Sequence, residues 1–342
     1  MSGPPHGDIH QAVEILRSGG LVAFATETVY GLGADAANAD AVAKIFAVKG
    51  RPPTNPLIVH VASTPVAKRY TASWPEAAEL LTRALWPGPL TLVLPKGPQI
   101  VSAVTAGLPT VAIRCPDHPV ALELLRQFGG PVAAPSANRS TRVSPTTADH
   151  VRRDLGDRVD LILDGGPCRV GIESTVIDMT SPRPTILRPG GIPRSRLEEI
   201  VGSVDVHTPA TGSSQAAKSP GQQAIHYSPM TPAYLLTESE THLFPTFFGH
   251  RLGTNAIFLI IRGSGLAAQL RQWAGSDEVV ELPLDAEEYA RALYAALREA
   301  DDRHVQMIWV QDPPPGRQWD AVRDRIHRAT RPAAEVWKKS DS

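Results

Sequence analysis

Leu21-Val22-Ala23-Phe24-Ala25, followed at once by Thr26-Glu27-Thr28-Val29-Tyr30-Gly31-Leu32-Gly33, is the stretch that decides the fold. Five apolar residues in a row suit a short strand covered on both faces, as in sheets layered with helices. Two hydroxyls and a carboxylate then leave the strand, and two glycines permit close backbone approach. Two readings stand side by side: a β-to-α turn with Thr and Gly in routine roles, or one edge of a ligand site.

The same plan repeats on either side. Asp8 can cap a helix with Ile9, Val13 and Leu16 on its apolar face, closed by Gly19 and Gly20. A second helix runs from about Asp40 and stops at Gly50. Strands are expected over 57–61, 90–94, 110–114, 132–134, 159–163, 174–179 and 185–187, with helices over 76–85, 120–128 and 148–155. Alternation of this kind gives a large α/β sheet domain. From Val204 to Thr231 periodicity vanishes, and HTPATGSSQAAKSPGQQ reads as an extended linker. Beyond it, strands over 233–236, 256–261, 279–282 and 305–310 alternate with helices over 266–273, 287–301 and 321–329, a smaller α/β unit. The expected domains are therefore 1–203, a linker 204–231, and 232–342.

Composition narrows the function. The chain has 342 residues, enough for two domains at roughly 150 residues each. Lys and Arg number 34 against 35 Asp and Glu, and aromatics make up 6%, so neither a global basic field nor stacking platforms point to a nucleic-acid module. The longest strongly apolar run, Ala256 to Ile261, is too short for a bilayer. Cys115 and Cys168 form neither a disulfide framework nor a zinc pattern, and with no leader in Met1–His10 a reducing cytoplasm is expected. No GxxxxGK phosphate loop, GxGxxG, GxSxG or HExxH occurs, which removes the P-loop, dinucleotide, hydrolase-elbow and zincin readings.

Polar residues gather where strands end, the place open α/β sheets bind ligands. Lys49-Gly50-Arg51 precedes Pro52-Pro53-Thr54-Asn55; two cations held between a glycine and two prolines suit a polyphosphate, although Lys49 would also favour a helix C-terminus. His60 sits in an apolar strand, where a hydrogen-bonded core role is the commoner one. Thr110 and Arg114 lie on one strand face, and Arg114 needs an anion, either a structural carboxylate or that of a substrate. Ser136 and Asn138 follow another strand. Ser144-Pro145-Thr146-Thr147 opens a helix whose N–H groups face an anion, unless capping uses them. Ser174 and Arg188 add a further hydroxyl and cation. Six such turns in one domain look like a single cleft.

TETVYGLGADA, KGRPPTNPLIVHV, WPGPLTLVL, TVAIRCPDHP, PVAAPSANRS, ESTVIDM and LRPGGI, in that order over about Asp8 to Val201, resemble the motif series of YrdC-type threonylcarbamoyl-AMP synthases. The remainder resembles the family's long form. The resemblance implies a YrdC-like twisted open mixed sheet flanked by helices, then a smaller Rossmann-like α/β domain. It implies a nucleotidyltransferase that joins L-threonine, bicarbonate or CO2 and ATP, with Mg2+, into threonylcarbamoyl-AMP and pyrophosphate. This is the first step toward threonylcarbamoyladenosine in tRNAs that read codons starting with A.

Motif by motif, Lys49, Arg51, Asn55, Ser136, Asn138, Ser144, Arg188 and Tyr227 fall at ATP-side positions, with Lys49 and Arg51 catalytic. Thr26, His60, Thr110, Arg114 and Ser174 fall around the threonine. No metal ligand is assigned. The implied partner is a downstream threonylcarbamoyl transferase, with weak or no direct tRNA binding and no membrane. In Ser219–Pro229 the family pattern departs: Gln222, Ala224 and Ile225 replace a Met, an aromatic and a basic residue before His226-Tyr227, which implies a lid with a weaker hold on phosphates.

Overall fold

The computed structural model describes residues 6–207, 227–237, 240, 256–263, 265–274 and 278–337. The chain divides into two compact units, Met1–Ser140 with Ser144–Gln223, and Thr141–Val143 with Ala224–Ser342. Residues 208–226, which carry most of the expected linker, lie outside the described residues.

The first unit contains strands β1 Val22–Phe24, β2 Gly31–Asp35, β3 Ile58–His60, β4 Leu90–Pro95 and β5 Thr110–Arg114. They are followed by β6 Val132–Ala133, β7 Leu161–Leu163, β8 Thr175–Asp178, β9 Thr185–Arg188 and β10 Asp205–Val206. They form one mixed sheet in the order β10-β9-β8-β4-β5-β3-β6-β2-β1-β7. Two helices, α1 His6–Arg17 and α5 Pro119–Phe128, cover one face. Val22 and Phe24 pack there with Val13, Leu16, Val120 and Leu124. The opposite face takes α2 Ala39–Lys49, α4 Glu76–Leu85, α6 Ala148–Leu155 and α7 Arg194–Val201. Leu21, Ala23 and Ala25 turn toward that side, so the apolar run 21–25 feeds two cores by simple alternation. A five-residue helix, α3 Thr64–Lys68, follows β3.

Several elements depart from the sequence-based expectation. Asp8 lies inside the first turn of α1 rather than capping it. The helix expected from about Asp40 does form as α2, capped by Asn38, whose side chain accepts from the backbone N–H of Asp40 and Ala41. The residues after β1 do not enter a helix: β2 returns antiparallel beside β1, pairing Phe24 with Gly31 and Val22 with Gly33. Both glycines lie inside a strand. A Cβ on Gly33 would stand 2.8 Å from Phe24 Cε1 and 3.0 Å from Val132 Cγ1, so the Phe24 ring occupies the space of the missing side chain. Val204 is fully buried and Asp205–Val206 extends the sheet edge, although the composition there resembles a linker.

The second unit is a wholly parallel five-stranded sheet. Its strands are β11 Ala233–Leu236, β12 Ala256–Ile261, β13 Val279–Leu282, β14 Met307–Gln311 and β15 Arg331–Pro332, in the order β13-β12-β14-β11-β15. Helices α8 Gly265–Ala274, α9 Ala286–Asp302 and α10 Asp320–Ala329 connect them, with a short α11 Ala334–Trp337. Asp285 caps α9 by accepting from Glu287 and Glu288 backbone N–H. Asp301, near the end of that helix, accepts from the backbone N–H of Met230 and Thr231, both at 2.8 Å.

The Gly33 contact yields a measurable expectation. Gly33→Ala should cost about 1–3 kcal/mol by overpacking, seen as a lower denaturant midpoint. The loss should shrink in a Phe24→Leu background, and an equal loss in both backgrounds would disprove the Phe24 contact as its cause.

Candidate functional site

The register of the first sheet does more than stack strands. His60 of β3 lies opposite Arg114 of β5, Arg114 opposite Thr91 of β4, Thr91 opposite Val176 of β8, and Val176 opposite Arg188 of β9. Directly paired residues share a face, so this line across five strands carries four polar side chains, all buried. Burial of that many polar groups is tolerated only if they find partners.

Arg114 donates from Nη1 to Thr28 Oγ1 at 3.0 Å and from Nε to the Gly88 carbonyl at 3.3 Å. Its Nη2 stands 2.6 Å from Glu27 Oε1, an ion pair with both side chains sealed from solvent. The anion expected for Arg114 is thus, in this structure, Glu27. Thr26 holds the turn that delivers Glu27: its Oγ1 donates to the Val29 carbonyl at 2.6 Å and accepts from Thr28 N–H at 3.2 Å. Beyond Thr91, the Ser174 hydroxyl shares a hydrogen bond with Thr91 Oγ1 at 2.8 Å, and Arg188 Nη2 donates to the Ser174 carbonyl at 2.9 Å and to its hydroxyl at 3.2 Å. Gly190 makes this closeness possible, because a Cβ there would lie 2.4 Å from the backbone of Glu173, Ser174 and Thr175.

The cations at the end of α2 are placed by its C-cap. Gly50 adopts φ 60° and ψ 37°, the left-handed conformation that ends a helix, while Arg51 N–H reaches back to the Phe46 carbonyl. Lys49 therefore stays on the last turn and Arg51 leaves it. Lys49 Nζ donates to the carbonyls of Ser136 (2.6 Å) and Asn138 (2.5 Å) and to Asn138 Oδ1 (3.3 Å). Ser136 Oγ donates to the same Oδ1 at 2.6 Å. All three oxygens around Lys49 are neutral, and burial, then the nearby Arg51 charge, push its ammonium well below the usual lysine range. An anion arriving beside these two cations would relieve both penalties. Arg51 donates to the carbonyls of Asn55 and Pro56. The buried Asn55 amide has no hydrogen-bond partner among the described residues.

Backbone contacts join the two groups. Ala137 N–H donates to the Tyr30 carbonyl, and Tyr30 N–H to the Pro145 carbonyl. Ser144 Oγ donates to Glu173 Oε1 at 2.6 Å, next to Ser174. Lys49, Arg51, Asn55, Ser136, Asn138, Ser144, Thr26, His60, Arg114, Ser174 and Arg188 thus all belong to one connected set in the first unit.

Thr110 stands apart: it pairs with Pro95 at the opposite end of β5, four residues or about 13 Å from Arg114. Thr147 caps α6 by accepting from His150 N–H, and the His150 ring accepts from Thr146 N–H, so these two threonines serve the helix end. Tyr227 lies in the second unit, buried, stacked on Tyr294 at 6.0 Å with Arg325 over its ring at 5.0 Å. Thr91 and Glu173 join the set without having been singled out beforehand, and Glu27 and Thr28, noted in the turn after the first strand, join it without having been given a role. The signal was available for the two carboxylates, since a buried Arg and a buried hydroxyl each call for one.

Residues 14–190 match the family described as Telomere recombination, and residues 192–330 match Threonylcarbamoyl-AMP synthase, C-terminal domain. The threonylcarbamoyl-AMP synthase of Pyrococcus abyssi is 41% identical over 332 residues, covering 94% of both chains. That of Bacillus subtilis is 40% identical, covering 94% of this chain and 92% of its own. A crystal structure of P. abyssi Sua5 complexed with L-threonine superimposes with a TM-score of 0.85 at 40% identity, covering 94% of each chain. The chain belongs to the threonylcarbamoyl-AMP synthase family.

His60 supplies this site's pH prediction. Burial, then the Arg114 charge, bring its pKa from 6.5 down to about 3. The unfolded chain therefore binds a proton that the folded one refuses, and the resulting stability, full above pH 6.5, is lost as pH falls toward 3. Thermal melting should show a steeper decline across that window than in His60→Asn. Parallel declines would rule out a neutral, buried His60 as the source.

Proposed function

We propose that this chain makes threonylcarbamoyl-AMP from L-threonine, bicarbonate or CO2 and ATP, releasing pyrophosphate. What supports the reading is the connected set above: two cations at the end of α2 are linked through Tyr30 and Ser144 to the line of His60, Arg114, Thr91 and Arg188. One end suits phosphates and the other an amino acid.

Threonine's amine adds CO2 to give a carbamate. A carbamate oxygen then bonds to the α-phosphorus of ATP as the bond to the β-phosphate oxygen breaks and pyrophosphate leaves with its electrons. This makes the chain a nucleotidyltransferase. The reaction needs no covalent enzyme intermediate, so positioning and charge neutralisation carry the rate. Lys49 and Arg51 act on the phosphates, with Asn55, Ser136, Asn138 and Ser144 around the nucleotide and Arg188 at its threonine-facing side. Arg114 orients threonine, assisted by Thr26, His60 and Ser174. Thr110 acts from the far end of its strand only on an extended ligand. Tyr227 is assigned to the nucleotide. In this assignment residues 1–203 do the chemistry, 204–231 are the linker, most of which lies outside the described residues, and 232–342 form a second domain.

Mg2+ belongs to the reading as the companion of ATP. Among the described residues no group of three His, Cys, Asp or Glu could hold a metal. Its oxygen ligands would then come chiefly from the phosphates, where it adds charge neutralisation. The product, an activated carbamoyl adenylate, passes to a transferase that modifies tRNA. The near-neutral net charge gives this chain little hold on tRNA itself. No described helix is long and apolar enough to cross a membrane.

Pyrophosphate release should require threonine and bicarbonate together, and Lys49→Ala should lower it by about 10²-fold or more. Equal release without threonine would remove the mechanism.

A further inference from the structure

Glu27 and Arg114 face each other with a mismatch. Their closest atoms are 2.6 Å apart, within contact for charges. Yet neither oxygen of Glu27 nor Nη2 of Arg114 forms an aligned hydrogen bond among the described residues. Buried pairs that stabilise a core are aligned and share parallel N–H···O bonds. Leaving a fully buried carboxylate without donors is costly, as is leaving a guanidinium N–H without an acceptor.

The surroundings do not repair this. The thiols of Cys115 and Cys168 and the His118 ring all feel the Glu27 charge, but none donates to it. Val170 N–H bonds the Glu27 backbone carbonyl, not its side chain. Thr28 Oγ1 is taken up with Arg114 and Thr26.

An anion alone would satisfy Arg114 and be repelled by Glu27; a cation would do the reverse. A ligand with an ammonium and a carboxylate on the same carbon supplies both. We propose that Glu27 receives the α-ammonium of the amino-acid substrate while Arg114 Nη2 takes its α-carboxylate, so that the pair selects a zwitterion. This deepens the threonine-dependent reading above and rests on it. Glu27 is then a specificity residue that touches substrate and not merely a counter-ion for Arg114.

Calorimetric titration of the full chain with L-threonine and with 3-hydroxybutanoate, which lacks only the amine, tests it. The wild type should bind threonine about tenfold or more tightly than the deaminated acid, and Glu27→Gln should erase that preference by weakening threonine alone. If Glu27 serves only to prop Arg114, the variant loses both ligands equally and the proposal fails. It fails too if the variant loses neither, or if the wild type binds both acids alike. That last comparison can still overturn the proposal should Glu27→Gln not fold. No threonine binding to the wild type would instead strike at the proposed function itself.

Discussion

A charged guanidinium held almost out of water is the constraint on which the first unit turns. Arg114 closes a central strand of a sheet covered by helices on both faces, where an unpaired charge would cost several kcal/mol. Its demand for an anion and for acceptors fixes the turn after β1, because Glu27 and Thr28 must reach it. That turn fixes Tyr30, whose backbone in turn anchors Ala137 and Pro145. Ser136, Asn138 and Ser144, the neighbours of Ala137 and Pro145 in the chain, are thus hung from the same turn that serves Arg114. A single polar contact in a low-dielectric interior propagates into the placement of groups far apart in sequence.

Glycines set the close approaches that this arrangement needs. Gly50 breaks α2 so that Lys49 and Arg51 diverge, and its φ of 60° is one that a side chain resists. Gly190 lets the loop after β9 lie against the backbone of residues 173–175, which brings Arg188 onto Ser174. In both places the local backbone decides where a cation points. Lys49, Arg51 and Arg188 are then oriented by the carbonyl oxygens of Ser136, Asn138, Asn55, Pro56 and Ser174.

Most of the architecture was legible in the sequence. Apolar runs such as 90–94, 110–114 and 256–261 and amphipathic stretches such as 76–85 and 148–155 lie where the pattern puts them, because period and length are local properties. The hairpin of β1 and β2 was not legible. Gly31-Leu32-Gly33-Ala34-Asp35 lacks β-branched residues and has two glycines, so propensity argues against a strand. It pairs because β1 and β6 offer edges on both sides and because Phe24 needs room above Gly33. Val204–Val206 failed in the same way: a buried valine and an edge strand hide within a stretch whose composition is that of a linker.

The sequence by itself determined the two α/β units, the clustering of hydroxyls and cations at strand ends, and the family. Those are facts of period, composition and motif, written within short windows. Only the tertiary structure decided that His60, Arg114, Thr91 and Arg188 form one line and that Arg114 meets Glu27. Strand order and register are set by long-range packing, and no local pattern encodes which buried charge will face which.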